Sequence, residues 1–196
     1  MFFGEAFGGL IPGARGAALS VLLRTGAPLT GRQVHALVSD EYSLWSVQEA
    51  LKVLTRLGIV ETQAVGRAGV HTINEGHAAV AHLRVLADPV GMLRAAIAGA
   101  VGSDVEAVIV FGSIARGQAS RDSDIDLAVI ASPGWDGRSD LEDAVRTSVG
   151  NGCDVLAFTP DQFQQLAGSG EPVVSDILRD GLALIGSMPR ARHGAA

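Results

Sequence analysis

The sequence contains one cysteine, Cys153, one lysine, Lys52, and no uncharged run longer than nine residues, as from Ala95 to Ser103. A lone cysteine cannot close an intrachain disulfide, which fits a reducing compartment. A helix that crosses a membrane needs about 20 consecutive apolar residues, so none of these runs spans one. The opening Met1-Phe2-Phe3-Gly4-Glu5 lacks the basic segment of a secretory signal. A soluble cytoplasmic protein is the expectation. Positive charge is also scarce: 15 Lys and Arg stand against 21 Asp and Glu, a net charge of −6. That balance argues against a general nucleic-acid coat protein, though not against a small DNA-reading surface. Charged residues make up only 18% of the chain, too few for long disordered tails. What is plentiful is apolar residues, 47% of 196, enough for a sizeable core in one domain or two small ones.

Charge is distributed unevenly. Residues 1–75 carry six basic and six acidic side chains, whereas 76–196 carry nine Arg and fifteen acids, so the whole excess of −6 lies in the back. A boundary near 75–100 follows. In the front, Leu19, Leu22 and Leu23 have helical spacing over about 14–25, closed by Gly26 and Pro28. Thr30 is an N-cap for a short second helix carrying Val34, Leu37 and Val38. Ser43 caps a third, whose Leu44, Val47, Leu51 and Leu54 form one apolar stripe, with Gly58 at its C′ position. Residues 59–65 and 70–73 read as strands around a Gly66-Arg67-Ala68-Gly69 turn. Two short helices followed by a hairpin is the order of a winged helix-turn-helix. In such a domain Ser43, Trp45, Gln48 and Lys52 lie at or along the exposed side of the reading helix, with Tyr42 at its entrance. Arg67 sits at the wing tip, where a guanidinium reaches a phosphate or the minor groove. The acids Asp40, Glu41 and Glu49 beside this helix weaken the electrostatic part of DNA binding, so packing and dimerisation are competing roles for this surface.

Residues 76–101 are Ala-rich and helical in pattern, interrupted at Asp88-Pro89, and read as a connector. The back then alternates: strand 105–111, short helix 113–117, strand 125–130, helix 140–149, strand 154–158, helices 160–166 and 173–178, and a last strand 182–185. That is an α/β domain of about 90 residues. The tail 190–196 is expected to fray.

The chemistry concentrates in Phe111-Gly112-Ser113-Ile114-Ala115-Arg116-Gly117 and Asp124-Ile125-Asp126. Gly112-Ser113 follows a buried strand and opens a helix, so a ligand can approach the backbone and free N–H groups can hold phosphate oxygens. Asp124 and Asp126, two apart on a strand, point to one face, while Ile125, Leu127 and Val129 pack on the other. Two carboxylates beside a phosphate cradle form a magnesium site for a nucleotide. The competing interpretation, a solvated strand face, leaves two like charges close together without a cation. Cys153 reads as a small core residue rather than a nucleophile. The five histidines, His35, His71, His77, His82 and His193, form no metal-spaced pair.

Gly112-Ser113, ten intervening residues, and Asp124-x-Asp126 resemble the signature of the DNA polymerase β-type nucleotidyltransferases, and most closely the minimal branch. The likeness covers roughly 105–186. Superfamily members carry a third acid on a later strand, and Asp154 in Cys153-Asp154-Val155-Leu156 is the matching position. The front is similar to winged-helix domains of small bacterial regulators, in Ser46-Val47-Gln48-x-Ala50-Leu51 and Leu57-Gly58-Ile59-Val60. The resemblance implies an α/β (α+β) chain: a winged helix domain at 1–75, a helical connector at 76–101, a nucleotidyltransferase domain with a short mixed sheet flanked by helices at 102–189, and a flexible tail at 190–196. It further implies two Mg²⁺ ions on Asp124, Asp126 and Asp154, with NTP, ATP first, as substrate. Gly112 and Ser113 would hold the β- and γ-phosphates, and Arg116, or less directly Arg121, would neutralise phosphate charge. NMP would pass to a hydroxyl of a protein, RNA or small molecule, as in toxin–antitoxin or defence pairs. The alternatives are a DNA-binding transcription regulator whose nucleotidyltransferase fold senses nucleotide, and a front domain that only forms a homodimer. The three acids favour an enzyme over a sensor.

Overall fold

A computed structural model describes residues 1–120 and 122–189. Arg121, His193 and the tail 190–196 lie outside the described residues. The chain divides into two compact units: Glu5–Pro89, and Met1–Gly4 together with the chain from Val90 onward.

In the first unit, helix α1 (Gly13–Thr25) buries Leu19, Leu22 and Leu23 and ends at Gly26, whose φ of 61° is left-handed. A two-residue strand β1 (Leu29–Thr30) leads into α2 (Gly31–Ala36). The Thr30 side chain caps α2 and the Gln33 side chain returns a bond to the Thr30 backbone, a capping box. Helix α3 (Leu44–Arg56) starts under Ser43, whose hydroxyl accepts from the Ser46 N–H at 3.2 Å. Its buried residues are Val47, Ala50, Leu51 and Leu54. At its end Gly58 N–H bonds Thr55 O and Ile59 N–H bonds Leu54 O, the Schellman pairing expected for a glycine at C′. Strands β2 (Val60–Val65) and β3 (Ala68–Ile73) form a hairpin, and β1 adds to the other side of β3 to give the antiparallel order β1-β3-β2. Helix α4 (Val80–Leu86) packs Val80 and Leu83 into the same core.

Three local expectations change. Helix α2 stops at Ala36, and Leu37 is 59% exposed rather than part of its apolar face. The hairpin loop is only Gly66-Arg67, because Val65 pairs with Ala68, and left-handed Gly66 supplies the first position of the tight turn. Strand β1 is unforeseen, since two residues carry no readable alternation.

The second unit is built on a four-stranded sheet of order β6-β5-β4-β7, from β4 (Val105–Phe111), β5 (Ile125–Ala131), β6 (Cys153–Phe158) and β7 (Leu182–Ile185). Strand β4 is antiparallel to both β5 and β7, whereas β5 and β6 run parallel. The expected mixed α/β class is thus observed. Helices α5 (Pro89–Ala100) and α7 (Arg138–Val149) supply Leu93, Ile97, Leu141 and Val145 to one core with Val108, Val110, Ile125, Leu127 and Val129. Helices α8 (Pro160–Ser169) and α9 (Pro172–Asp180) supply Phe163, Val174 and Ile177 to another with Ala107, Ile109, Ala128 and Ile130. Strands covered on both faces explain the nearly continuous apolar runs of β4 and β5. Each fully buried large side chain contributes roughly 1.5–3 kcal/mol of transfer free energy.

The stretch 76–101 holds a pair of helices. Its helix α4 belongs to the first core and α5, with Leu93 and Ile97, to the second. Residues 1–4, expected in the front domain, lie with the second unit, where Met1 and Phe3 pack on its core.

Candidate active site

The two-residue period of β5 places Asp126 on the face of Ala128 and Ile130, opposite to Ile125, Leu127 and Val129, which are fully buried. Parallel pairing sets Asp126 level with Asp154 on β6, and antiparallel pairing sets it level with Phe111 on β4. Asp124 lies one residue ahead of β5. The register therefore gathers Asp124, Asp126 and Asp154 at one end of the sheet, beside the short helix α6 (Gly112–Ala115) that follows β4 directly.

Gly112 has a φ of 69°, a left-handed conformation that favours glycine. It also has a second role. A Cβ placed on Gly112 would overlap the Asp126 carboxylate oxygen Oδ2, so this carboxylate lies directly against the glycine backbone. On the other side, a Cβ on Gly152 would overlap Asp124 Oδ1. The two carboxylates are seated on two different glycines.

The electrostatics are those of crowded like charges. Asp126 is half-buried, and burial first, then Asp154 and Asp124, hold its pKa above the usual carboxylate value, with Arg116 opposing. Arg116 caps α6, donates from Nε to Gln118 Oε1 at 3.2 Å, and stands 4.0 Å from Asp180 at the end of α9. Burial, with Glu142, Asp154 and Asp126 added, pushes the Cys153 thiol up to about 12. A thiol so perturbed is neutral at physiological pH, which agrees with a packing role.

An all-carboxylate oxygen donor set suits a hard divalent cation such as Mg²⁺. Asp126 also stands in the field of Asp154 and Asp124, with Arg116 opposing, so the residues present fit such an ion. Among the described residues no three His, Cys, Asp or Glu side chains converge as a ready ligand group.

The structure brings Gly112, Ser113, Arg116, Asp124, Asp126 and Asp154 into one unit, while Arg121 lies outside the described residues. The candidate DNA contacts lie in the first unit. Trp45 is 71% exposed, Gln48 is exposed, and Arg67 is at the hairpin tip. Lys52 is paired with Glu49 at 2.7 Å, and the Ser43 hydroxyl is used in capping. Sequence reasoning missed Gly152 and Asn151, whose only signal was a glycine shortly before an acid-bearing strand.

A left-handed glycine turn and a paired-acid strand thus meet on a small mixed sheet. Residues 100–176 match the family model for polymerase beta nucleotidyltransferases. No curated protein matches the chain. Among solved structures, a toxin–antitoxin with AMP-PNP is similar at 19% identity and TM-score 0.39, over 51% of this chain and 75% of that one. A mutant form of the toxin–antitoxin MntA-HpeT is similar at 18% identity and TM-score 0.36, over 48% of this chain and 70% of that one. The DNA recognition and protein interaction domains of HOP2 are similar at 22% identity and TM-score 0.31, over 32% of this chain and all of that one.

Proposed function

We propose that the protein is a Mg²⁺-dependent nucleotidyltransferase that moves NMP from an NTP, ATP first, to a hydroxyl of a protein, RNA or small-molecule acceptor. The observation that carries the proposal is the level pairing of Asp126 with Asp154, with Asp124 beside them, next to the Gly112 turn. Asp124, Asp126 and Asp154 would hold the metal, two ions in all. When bound, magnesium screens triphosphate charge and lowers the pKa of an acceptor hydroxyl. The chain's own residues do the rest. Backbone N–H groups at Gly112 and Ser113, in the left-handed turn that Gly112 opens, bind β- and γ-phosphate oxygens. Arg116, already within the field of Asp126, offsets the phosphate charge. The acceptor hydroxyl gives up its proton to solvent as its oxygen bonds the α-phosphorus, the α–β bridge breaks, and pyrophosphate leaves.

The first unit is proposed to be a winged helix. Supporting this are the order α1, β1, α2, α3, β2, β3 and the antiparallel sheet order β1-β3-β2. The same face of α3 and the hairpin tip offer Gln48, Lys52, Arg67 and Trp45 to DNA, and Ser43 orders the helix start.

The test is incubation with each of the four NTPs, labelled at the α-phosphate, with Mg²⁺ and cell lysate, followed by intact-mass analysis of the labelled acceptor. We expect addition of one NMP mass, reduced at least about a hundredfold in Asp124→Asn and Asp154→Asn. Transfer from none of the four, together with nucleotide-dependent binding to a DNA operator, would support the sensor function instead.

A further inference from the structure

The segment Asn151-Gly152, between α7 and β6, brackets Asp124. Asn151 is buried, one of two polar residues at this depth among those described. Its Nδ2 donates to Ser123 O at 3.1 Å, and its Oδ1 accepts from the Met1 nitrogen at 2.6 Å. One residue on, Gly152 O accepts from Ile125 N–H at 2.9 Å. Two hydrogen bonds thus clamp the backbone on either side of Asp124, and the Gly152 Cα is the surface against which the Asp124 carboxylate rests. Gly152 does not have a positive φ, so backbone conformation does not demand glycine there. What demands it is space for Asp124.

We propose that Asn151 and Gly152 are positioning residues that set the backbone and the carboxylate direction of Asp124, coupling it to the neighbouring strand that bears Asp154. This rests on Asp124 being a metal ligand, as proposed above. Gly112 does the same for Asp126, so each carboxylate of the Asp124-x-Asp126 pair is aimed by its own glycine. The two seats lie on opposite flanks of β5, on the β4 side and the β6 side.

The decisive variant is Gly152→Ala. Alanine is compatible with the backbone there, and the atom it meets is the end of a short flexible side chain, which can swing away. The fold is therefore expected to survive, with a Tm within about 4 °C of wild type, while the carboxylate is displaced. Mn²⁺ binding, measured by calorimetry on the full chain without nucleotide, should weaken roughly ten- to a hundredfold, as should transfer. In a double-mutant cycle, Gly152→Ala added to Asp124→Ala should weaken Mn²⁺ binding no further, because its effect passes through Asp124. Asn151→Ala, which also loses buried hydrogen bonds, should lower both Tm and Mn²⁺ affinity, and Asn151→Asp should not restore the affinity, because a carboxylate cannot donate to Ser123 O. Wild-type Mn²⁺ affinity in Gly152→Ala, or additive losses in the cycle, would overturn the positioning role. A wild-type protein that binds no Mn²⁺ would instead overturn the metal site itself and the inference with it.

Discussion

Asp126 shows how one residue of a candidate site can be costly to the fold. Its carboxyl is held above its ordinary pKa by burial and by Asp154 and Asp124. The folded protein therefore binds a proton there more readily than the unfolded chain does. Stability from this group is greatest below the ordinary carboxylate range and is lost as pH rises through the elevated folded value. Asp126→Asn should accordingly raise Tm at pH 7 without divalent metal, and the gain should disappear on acidification through the carboxylate range. Thermal melts of both proteins between pH 3 and pH 7, about the span over which carboxylates titrate, check this. An equal Tm at pH 7 would show that the crowded charges cost nothing. The acid pair and the glycine turn were legible at this scale because their type and spacing are local. The seats of the carboxylates were not: Gly152 meets Asp124 only through pairing of β5 with β6, a contact that no local spacing encodes.

At the scale of elements, legibility followed signal strength. The strands of the second unit and helices α1, α3 and α7 to α9 lie close to where alternation, helical spacing and caps placed them. Helix α8 begins with Thr159, whose hydroxyl accepts from Gln162 N–H at 3.2 Å while Gln162 Oε1 accepts from Thr159 N–H at 2.9 Å. Thr159→Ala removes half of this box and should cost about 1 kcal/mol, seen as a Tm lower by roughly 2–4 °C. An unchanged Tm would mean that packing of Phe163 alone holds the helix start. Short elements were not legible. Strand β1 exists because β3 has a free side for Leu29 and Thr30 to pair with, a tertiary cause. Helix α2 ends early as its last turn tightens, with the Leu37 and Val38 N–H groups donating to Val34 O and His35 O three residues back.

At the scale of the molecule, the scarcity of positive charge sits with the site rather than against a DNA-binding front. The −6 belongs to residues 76–196, and Asp124, Asp126 and Asp154 are among its acids. If the first unit binds DNA, affinity should fall as salt rises, and Arg67→Ala should reduce the slope of log K against log salt by about 1. Salt titrations of DNA binding check this, and binding that ignores salt would remove Arg67 as a phosphate contact. The division of residues 76–101 between two cores was not legible, because Ala-rich helices carry no mark of which core they join.

The proposed transfer is attack of an acceptor hydroxyl on the α-phosphate, with Asp124, Asp126 and Asp154 as the residues that would hold Mg²⁺. The direct measurement compares ATP labelled at the α-phosphate with ATP labelled at the γ-phosphate, each with Mg²⁺, lysate acceptors and either wild type or Asp126→Asn. Label is expected on the acceptor from α-labelled ATP alone, with an equal amount of pyrophosphate, and both are expected to be lost in Asp126→Asn. Label from γ-labelled ATP, or transfer that survives Asp126→Asn, would contradict it.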